Sequence, residues 1–352
     1  MKATLAALVV GVLAAAGIMA RAVLYSDRRL IALGPDTREW MGEAQIHELV
    51  RNRRQFRDII DAPPAAPVEA VPLAIPHNVT QQAAVNPLLK KVSRAVPEDV
   101  LAKLTAFPNR YYNSDNGRAS SEFLTQRVKE YATNVTRFVH RFPQSSVIAR
   151  LEGGSLADEI VVVSAHQDSI NQENHTDRAP GADDNGSGTV TILETLRVLG
   201  QSGLRLKRSV EFHWYAGEEG GLLGSADVVQ AYRGRKVVVD LNMDMTGVPA
   251  SPRAVGIITD YTSADINVLL RQVVHAYTDL PTIDMTCGYA CSDHASWNAT
   301  GVRSAIPFES QFADGNSNIH TPADTIDTVD FGHLLSFVNI AIGFVVEVAG
   351  VE

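Results

Sequence analysis

The chain has 352 residues, of which 45% are hydrophobic and 20% are charged. This composition excludes a disordered or fibrous protein, and the length is sufficient for one large core plus an extension. The formal net charge is −9. Residues 1–62 contain nine lysines and arginines against seven acids, so this part has a charge of +2 and the remainder has −11. Nucleic acid is therefore not an expected partner.

The first segment is typical of a secretory signal peptide. Lys2 precedes a run of small and apolar residues from Leu5 to Ala20, and an Ala-Arg-Ala triplet follows at Ala20–Ala22. The alternative is a signal anchor, but the run is short for a bilayer and its alanines and glycines lower its hydrophobicity. We expect a signal peptide over residues 1–20, a secreted, extracellular protein and no stable membrane anchor. The apolar segment Phe331–Val348 is interrupted by polar residues and predicts a buried core helix.

A proline- and alanine-rich stretch from Asp61 to about Pro76 separates two parts of the chain. Residues 23–62 are rich in arginine and predict a helix over Glu43–Ile60. This first part is either a small independent domain or a propeptide that is removed from a zymogen. We interpret residues 21–84 as propeptide and linker, and residues 85–352 as the catalytic domain.

Strands and helices alternate along the main domain, which predicts an α/β fold: a three-layer αβα sandwich around a largely parallel mixed sheet. The run Val161–Ala165 lacks polar alternation and predicts a strand buried on both faces. Functional sites in such sheets lie beyond the carboxyl ends of the strands. The other predicted strands are Thr136–Phe142, Ser146–Glu152, Ser209–Tyr215, Val237–Met243, Val255–Thr259 and Ala305–Phe308. The predicted helices are Pro97–Phe107, Ser120–Ala132, Ser187–Leu199, Glu219–Tyr232, Ser263–Tyr277 and Phe331–Val348.

Five residues of the types that bind metals stand at the ends of predicted strands or helices. They are His166, Asp184, Glu219, Asp244 and His320. Imidazole nitrogens favour zinc over calcium or magnesium, and carboxylates can bridge two ions. Five ligands are too many for one tetrahedral zinc, but they fit two Zn²⁺ per chain if one carboxylate is shared.

Glu218 lies beside Glu219 and is expected to point into the cleft, where a carboxylate near a metal-bound water can act as general base. The alternative interpretation of this acidic pair is a solvated helix N-terminus, where the helix dipole favours acids.

The two cysteines, Cys287 and Cys291, are four residues apart. In an exported protein such a pair is expected to form a disulfide bond that closes a tight loop. N-glycosylation sequons also predict a glycoprotein, although no sugar is expected at Asn185, inside the predicted site. The sequons begin at Asn78, Asn134, Asn174, Asn185 and Asn298.

Six sequence blocks, all in one order, resemble the secreted dizinc leucine aminopeptidases, family twenty-eight of the metallopeptidases. The blocks are HQDS (166–169), GADDNGSG (181–188), AGEEGGLLGS (216–225), NMDMTG (242–247), CGYACSDHASW (287–297), and FES with IHTPADT (308–325). The resemblance implies a zinc-exopeptidase fold and hydrolysis of the N-terminal peptide bond, with a preference for leucine-like first residues. Peptide or protein N-termini would be the substrate, and a monomer is expected.

The resemblance also implies how the ligands are divided. His166 and Asp244 would hold one zinc, Glu219 and His320 the other, and Asp184 would bridge the two. A zinc-bridging water or hydroxide would attack the peptide carbonyl.

Four further roles follow from the same resemblance. Glu218 matches the general base, Asp168 would orient His166, and Tyr289 matches the tyrosine that helps to hold the tetrahedral intermediate. Apolar residues match the pocket for the first side chain, which would accept leucine-like groups with preference and not strict choice. These pocket residues are Met245, Ile306, Phe308, Phe312 and Ile319.

Polar residues near the predicted ligands have structural interpretations, and other functions of the same fold are alternatives. Asp183 is interpreted as a neighbour of the ligand Asp184, while Asp293 and His294 are interpreted as a buried structural network. A glutaminyl cyclase of the same fold would use one zinc and lack the full set of five ligands. An inactive peptide-binding ectodomain would normally have lost Glu218 or a ligand. A carboxypeptidase of the same superfamily is a further alternative that the sequence does not exclude.

Overall fold

The structure is a computed structural model, and the chain divides into two units, Met1–Asp61 and Ala62–Glu352. The predicted signal peptide, most of the predicted linker and Phe312 lie outside the described residues. The described residues are 28–34, 37–42, 45–46, 48–49, 54, 56–59, 73–311 and 314–352.

The described part of the first unit contains a small antiparallel sheet with the strand order β2-β1-β3. Its strands are β1 (Arg28–Ala32), β2 (Arg38–Gly42) and β3 (Arg57–Asp58). The helix predicted over Glu43–Ile60 is wrong at β3, because the backbone of β3 pairs with β1. Pairing with a strand distant in sequence overrides local helical periodicity here. Ile31, Met41 and Leu49 form the buried core of this sheet.

The second unit is built on a six-stranded mixed sheet with the order β11-β8-β6-β7-β5-β4. The four strands β11, β8, β6 and β7 are parallel to one another, and β5 and β4 are attached as antiparallel strands. A smaller sheet has the order β10-β9-β12. The strands are β4 (Asn134–Phe138), β5 (Ser146–Leu151), β6 (Leu156–His166), β7 (Arg208–Tyr215), β8 (Lys236–Asn242), β9 (Val255–Ile258), β10 (Thr282–Met285), β11 (Arg303–Ala305) and β12 (Pro307–Phe308).

Helices cover both faces of the large sheet. Helices α4 and α8 pack on one face, and α5 and α7 form a pair on the other. The predicted three-layer fold around a mixed sheet is therefore confirmed. The helices are α1 (Gln82–Leu89), α2 (Ala95–Leu104), α3 (Asp115–Lys129), α4 (Gly188–Gly200), α5 (Leu223–Ala231), α6 (Ala264–Tyr277), α7 (His294–Asn298) and α8 (Phe331–Ala349).

Strand β6 is buried on both faces, which explains its continuous apolar run. Val161 and Val163 belong to the large core beneath α4 and α8, whereas Ile160 and Val162 belong to a smaller core on the opposite face. The strand therefore cannot slip by one residue without disturbing both cores. This fixes the position of His166 at its carboxyl end.

Two differences between the predicted and the observed elements affect the site. The helix predicted to start at Glu219 begins at Leu223, because Gly221 and Leu222 adopt left-handed backbone conformations with φ of 102° and 61°. The strand predicted at Ala305–Phe308 is divided between β11 and β12, which belong to different sheets. Both differences arise at the sheet edge where the chemistry is concentrated.

Helix α8 is long and apolar enough to cross a membrane by length and composition alone, with a mean hydropathy of 1.8. However, 72% of its apolar window is buried inside the protein, where it packs against α4, α6 and β6. These contacts are typical of a core helix.

Residues 73–81, here called the strap, are bound to the second unit. Its apolar side chains Leu73, Ile75 and Val79 pack against the large core. Hydrogen bonds run from Arg303 to Leu73 O (2.9 Å), from Arg208 to Ala74 O (2.7 Å), and from Thr80 N and Gln81 N to the buried Glu347 carboxylate (2.8 Å each). The strap overlaps the predicted linker, and the predicted boundary between residues 84 and 85 stays a prediction.

A protease acting on the folded protein is expected to cut before Leu73 and not within the strap. The reason is that cleavage requires a backbone segment to open locally, and the strap is held by both core packing and charged side chains. Limited digestion with thermolysin followed by N-terminal sequencing of the stable fragment would locate the cut. Such a cut would place the end of the predicted propeptide before Leu73 instead of at residue 84.

The comparison variant is Glu347→Gln, which replaces one acceptor oxygen by an amide that faces a main-chain N–H. This variant should open the strap and produce additional cuts between residues 73 and 81. Equal rates of cutting before and inside the strap in the unaltered protein would contradict the expectation.

Candidate metal centre

Two groups of metal-binding side chains meet at Asp184. Its Oδ1 lies 3.2 Å from His166 Nε2, and its Oδ2 lies 3.0 Å from His320 Nε2. Asp244 Oδ1 lies 3.3 Å from His166 Nε2, and Glu219 Oε2 lies 2.9 Å from His320 Nε2. The donor atoms of each group lie within 4.8 Å of one another. The structure thus brings together all five predicted ligands and divides them into the two predicted sets, with Asp184 shared.

The sheet topology explains why these side chains converge. His166 is the last residue of β6, Glu219 follows β7, and Asp244 follows β8. Because β6, β7 and β8 are adjacent and parallel, their carboxyl ends lie at one edge of the sheet. Asp184 comes from the turn before α4, and the peptide bond between Asp184 and Asn185 is cis.

Buried, unpaired acceptors show that a cation would fit this site. Glu219 Oε1 and Asp244 Oδ1 are buried and accept no hydrogen bond within the described part of the chain. Burial raises the pKa of the Glu219 carboxyl to about 7, since a buried carboxylate loses its hydration. Metal ions would replace that lost hydration, and two imidazoles with three carboxylates form a donor set suited to zinc.

The same carboxylates shift the pKa values of the two imidazoles. Burial alone would lower the pKa of His166 and His320, but the facing carboxylates outweigh it and hold both pKa values well above their usual range. These carboxylates would favour a metal cation at the imidazole nitrogens for the same reason, in competition with protons.

Asp168 connects two of the strand ends. Its Oδ1 lies 3.5 Å from His166 Nδ1, too far for a hydrogen bond, so its predicted role in orienting that imidazole stays a prediction. Its carboxylate accepts the main-chain N–H groups of Glu218 and Glu219, each at 3.1 Å. One buried acid therefore fixes the turn that follows β7 and lies against the end of β6.

Glu218 and Glu219 have different surroundings although they are adjacent. Glu219 is buried in the group with His320, whereas Glu218 stays partly exposed. Burial raises the pKa of the Glu218 carboxyl well above its usual value, and the nearby Glu219 and Asp293 carboxylates add to this rise, while His166 opposes it. A carboxylate with a raised pKa and access to the cleft is suited to accept a proton.

The loop that contains Tyr289 is closed by a disulfide bond between Cys287 and Cys291. The Asp260 carboxylate accepts the main-chain N–H groups of Cys287 (2.9 Å) and Gly288 (2.6 Å). Burial and the nearby acids raise the pKa of Tyr289, so its hydroxyl stays protonated and able to donate. Sequence reasoning missed Asp260, which has no motif around it.

Four of the five predicted pocket residues pack together beside the metal groups. Met245, Ile306 and Phe308 are buried in one apolar cluster, and Ile319 lies against it. The fifth, Phe312, lies outside the described residues. The cluster also contains Ile258, Met285 and the two cysteines, which the sequence did not assign to a pocket.

Asp183 and His294 are neighbours of the site that belong to neither metal-binding group. The Asp183 carboxylate accepts hydrogen bonds from Gly247 N (3.0 Å) and Asn316 Nδ2 (3.1 Å). His294 is fully buried, but neither ring nitrogen has a partner among the described residues. The predicted structural network is therefore not formed through His294.

Backbone geometry at the site also escaped sequence reasoning. Met245 and His320 have positive φ values of 57° and 58°, which non-glycine residues rarely adopt. Such conformations concentrate at functional sites because the surrounding contacts hold them in place. At Gly188 a Cβ atom would lie 2.1 Å from Met243 O, so only glycine lets the start of α4 approach the end of β8.

Comparison with known proteins agrees with this geometry. Residues 146–345 match the family model described as Peptidase family M28. The chain belongs to peptidase family M28. The M28 assignment confirms the family that the six sequence blocks resemble, and it makes the protein a peptidase. The chain is also similar to Leucine aminopeptidase 1 of Arthroderma otae, with 42% identity over an alignment of 351 residues. The match covers 92% of this chain and 92% of the relative.

Solved structures of M28-like fold extend the comparison. The LapA aminopeptidase of Legionella pneumophila matches with a TM-score of 0.80 and 26% identity, over 92% of this chain and 98% of LapA. A zinc aminopeptidase from Bacillus subtilis matches with a TM-score of 0.51 and 26% identity, over 59% of this chain and 50% of that protein.

Proposed function

We propose that the protein is a secreted zinc aminopeptidase that removes leucine-like residues from the free N-termini of peptides, with two zinc ions per chain. The observation that supports this best is the Asp184 carboxylate, whose two oxygens face two different imidazoles, each accompanied by a second acid. The names of the relatives support the aminopeptidase reaction and the leucine preference.

The five ligands divide as the distances suggest. His166 and Asp244 would hold one zinc, Glu219 and His320 would hold the other, and Asp184 would contact both. When bound, zinc ions lower the pKa of a water molecule and polarise the carbonyl of the peptide bond that is cleaved.

Glu218 is proposed to accept the proton of the attacking water and to deliver it to the leaving amine. Its raised pKa and partial exposure support this role, and Asp168 holds its main-chain N–H in place. Tyr289, whose hydroxyl stays protonated, is proposed to donate a hydrogen bond to the oxyanion that forms from the carbonyl.

The apolar cluster is proposed to bind the first side chain of the substrate. Met245, Phe308 and Ile319 offer only hydrocarbon and thioether contacts, which suits leucine and gives no partner for a polar group. Because a methylene in such a pocket is worth about 1–3 kcal/mol, related apolar residues should also be accepted at lower rates. Ile306 and Phe312 stay part of the proposed pocket.

Secretion and maturation complete the proposal. The sequence of residues 1–20 is typical of a signal peptide. Residues 21–84 are proposed to be a propeptide with its linker. The bound strap supports a mature chain that retains residues from Leu73 onward.

The rival functions require a different site. A glutaminyl cyclase with a single zinc would not need the second imidazole facing Asp184, and an inactive peptide-binding ectodomain would not need Glu218 at the cleft. A carboxypeptidase would differ in which end of the substrate it binds.

Cleavage of leucine p-nitroanilide should be rapid, while N-acetyl-leucine p-nitroanilide should resist. Blocking the amine removes the positive charge that the acidic site favours and adds bulk where a free N-terminus must fit. The release of p-nitroaniline measures both reactions. Removal of C-terminal residues from an N-acetylated peptide would instead identify a carboxypeptidase. Cyclisation of a peptide with an N-terminal glutamine would identify a glutaminyl cyclase.

Zinc analysis should find two ions per chain in the purified protein, because a single ion in either group would leave one buried acid and one imidazole of the other group without a cation. Elemental analysis during stepwise removal by a chelator and restoration with zinc would count the ions. A single tightly bound zinc, with no gain in activity from a second equivalent, would refute the dinuclear arrangement.

The variant Glu218→Gln should lower kcat by about 10²–10⁴, the usual effect of losing a general acid/base, without loss of zinc. The matched control is Glu98→Gln, which removes a charge from an exposed ion pair with Arg94 and should keep full activity. Steady-state kinetics and metal analysis of both variants would test the role. A kcat within about threefold of the unaltered enzyme would mean that another group takes the proton.

A further inference from the structure

The turn that presents Asp184 is held by a buried acid from another part of the chain. Residues 180–184 are here called the Asp184 loop. Asp324, which is 0% exposed, accepts the main-chain N–H groups of Asp183 (3.1 Å) and Asp184 (3.0 Å). The Asp324 carboxylate also accepts a hydrogen bond from Asn316 Nδ2 at 3.2 Å. Asp324 lies four residues after His320, so the segment that supplies one proposed ligand also holds the main chain of another.

A buried arginine holds the same loop through its carbonyl groups. Arg110 is 1% exposed, and its guanidinium donates to Gly181 O (2.8 Å) and to Pro180 O. Its Nε donates to Gln167 O at 2.8 Å. Gln167 lies between His166 and Asp168, so Arg110 ties the Asp184 loop to the end of β6.

The two residues are complementary in charge as well as in geometry. Asp324 faces the N–H groups of the loop and Arg110 faces its carbonyl groups, so each end of the peptide dipoles meets the favourable sign. Arg110 is also a buried cation within electrostatic reach of Asp324, Asp168, Asp184 and Glu219. It therefore offsets part of the negative charge that these acids concentrate.

We propose that Asp324 and Arg110 are positioning residues of the metal centre, which act through the main chain of the Asp184 loop to keep the two Asp184 oxygens between His166 and His320. Neither residue touches a reacting atom. A shared ligand must satisfy two sites at once, so a small displacement of this loop would weaken both. The inference rests on the proposed zinc peptidase function.

The first test is the zinc affinity of Asp324→Asn, measured by competition with a chromogenic chelator. The amide has nearly the same volume as the carboxylate, but its NH₂ group cannot accept one of the two N–H groups. Zinc affinity should fall by about 10–100-fold, the usual effect of losing an outer partner of a metal ligand.

The matched control for this variant is Glu347→Gln. Glu347 is also a buried carboxylate that accepts two successive main-chain N–H groups, but these belong to the strap. It should lower the unfolding temperature and leave zinc affinity unchanged. If Asp324→Asn keeps the zinc affinity of the unaltered protein, Asp324 has only a structural role and the proposal fails.

An independent test compares two buried arginines. Arg110→Lys keeps the charge, but its single ammonium nitrogen replaces three separate nitrogens that each donate to a different carbonyl oxygen, so the fork geometry that reaches all three carbonyl groups is lost. Arg208→Lys is the control, because Arg208 also donates to two main-chain carbonyl groups, Val348 O (2.6 Å) and Ala74 O (2.7 Å), away from the metal centre. Only Arg110→Lys should lose zinc affinity, by about tenfold or more.

Circular dichroism of each variant separates loss of fold from loss of positioning. Unfolding of both Asp324→Asn and Arg110→Lys, with both controls folded, would overturn the proposal, because the two residues would then be required for folding as such. Failure of the proposed function is recognised differently: the unaltered protein would then bind no zinc or would not cleave leucine p-nitroanilide.

Discussion

Buried carboxylates are concentrated around the two imidazoles of the metal centre, and the surrounding structure compensates their charge. Such a cluster is unfavourable in a protein interior unless cations and hydrogen-bond donors compensate it. The described residues provide donors in abundance: main-chain N–H groups face Asp168 and Asp324, and a buried guanidinium lies nearby. Several buried acceptors still lack a donor among the described residues, including Glu219 Oε1, Asp244 Oδ1 and both oxygens of Asp293. Glu219 and Asp244 belong to the metal-binding groups, so bound cations would compensate their charge.

The parts that sequence reasoning could predict are those with a local signal. The apolar run of β6 indicates a strand buried on both faces, and the parallel order of β6, β7 and β8 places His166, Glu219 and Asp244 at one edge. The apolar run and the polar residue that follows each strand are local signals, whereas the adjacency of the three strands is seen only in the structure. The assignment of family M28 likewise followed from short blocks at these strand ends.

The residues that escaped prediction act over long sequence distances and through the main chain. Arg110 binds carbonyl groups 57 to 71 residues away, Asp324 binds N–H groups 140 residues or more away, and Asp260 reaches the disulfide loop 27 residues later. A side chain that binds main-chain groups places no demand on the side chain at the other end, so no pairwise pattern appears in the sequence. The left-handed conformation of Leu222, after which α5 begins, likewise has no signal in the sequence.

The contact between the strap and α8 has a consequence for the connectivity of the catalytic unit. Glu347 joins residues 80 and 81 to the last helix, and β-bridge pairing between Leu206 and Val351 fixes the segment that follows. The strap and the end of α8 therefore lie together. Because the first and last described segments of the unit are adjacent, the unit is suited to circular permutation, with these segments joined by a linker and new ends opened at the exposed residues 233–235 before β8. The order of the elements along the chain is then separable from their arrangement in space, and the metal centre depends on the arrangement.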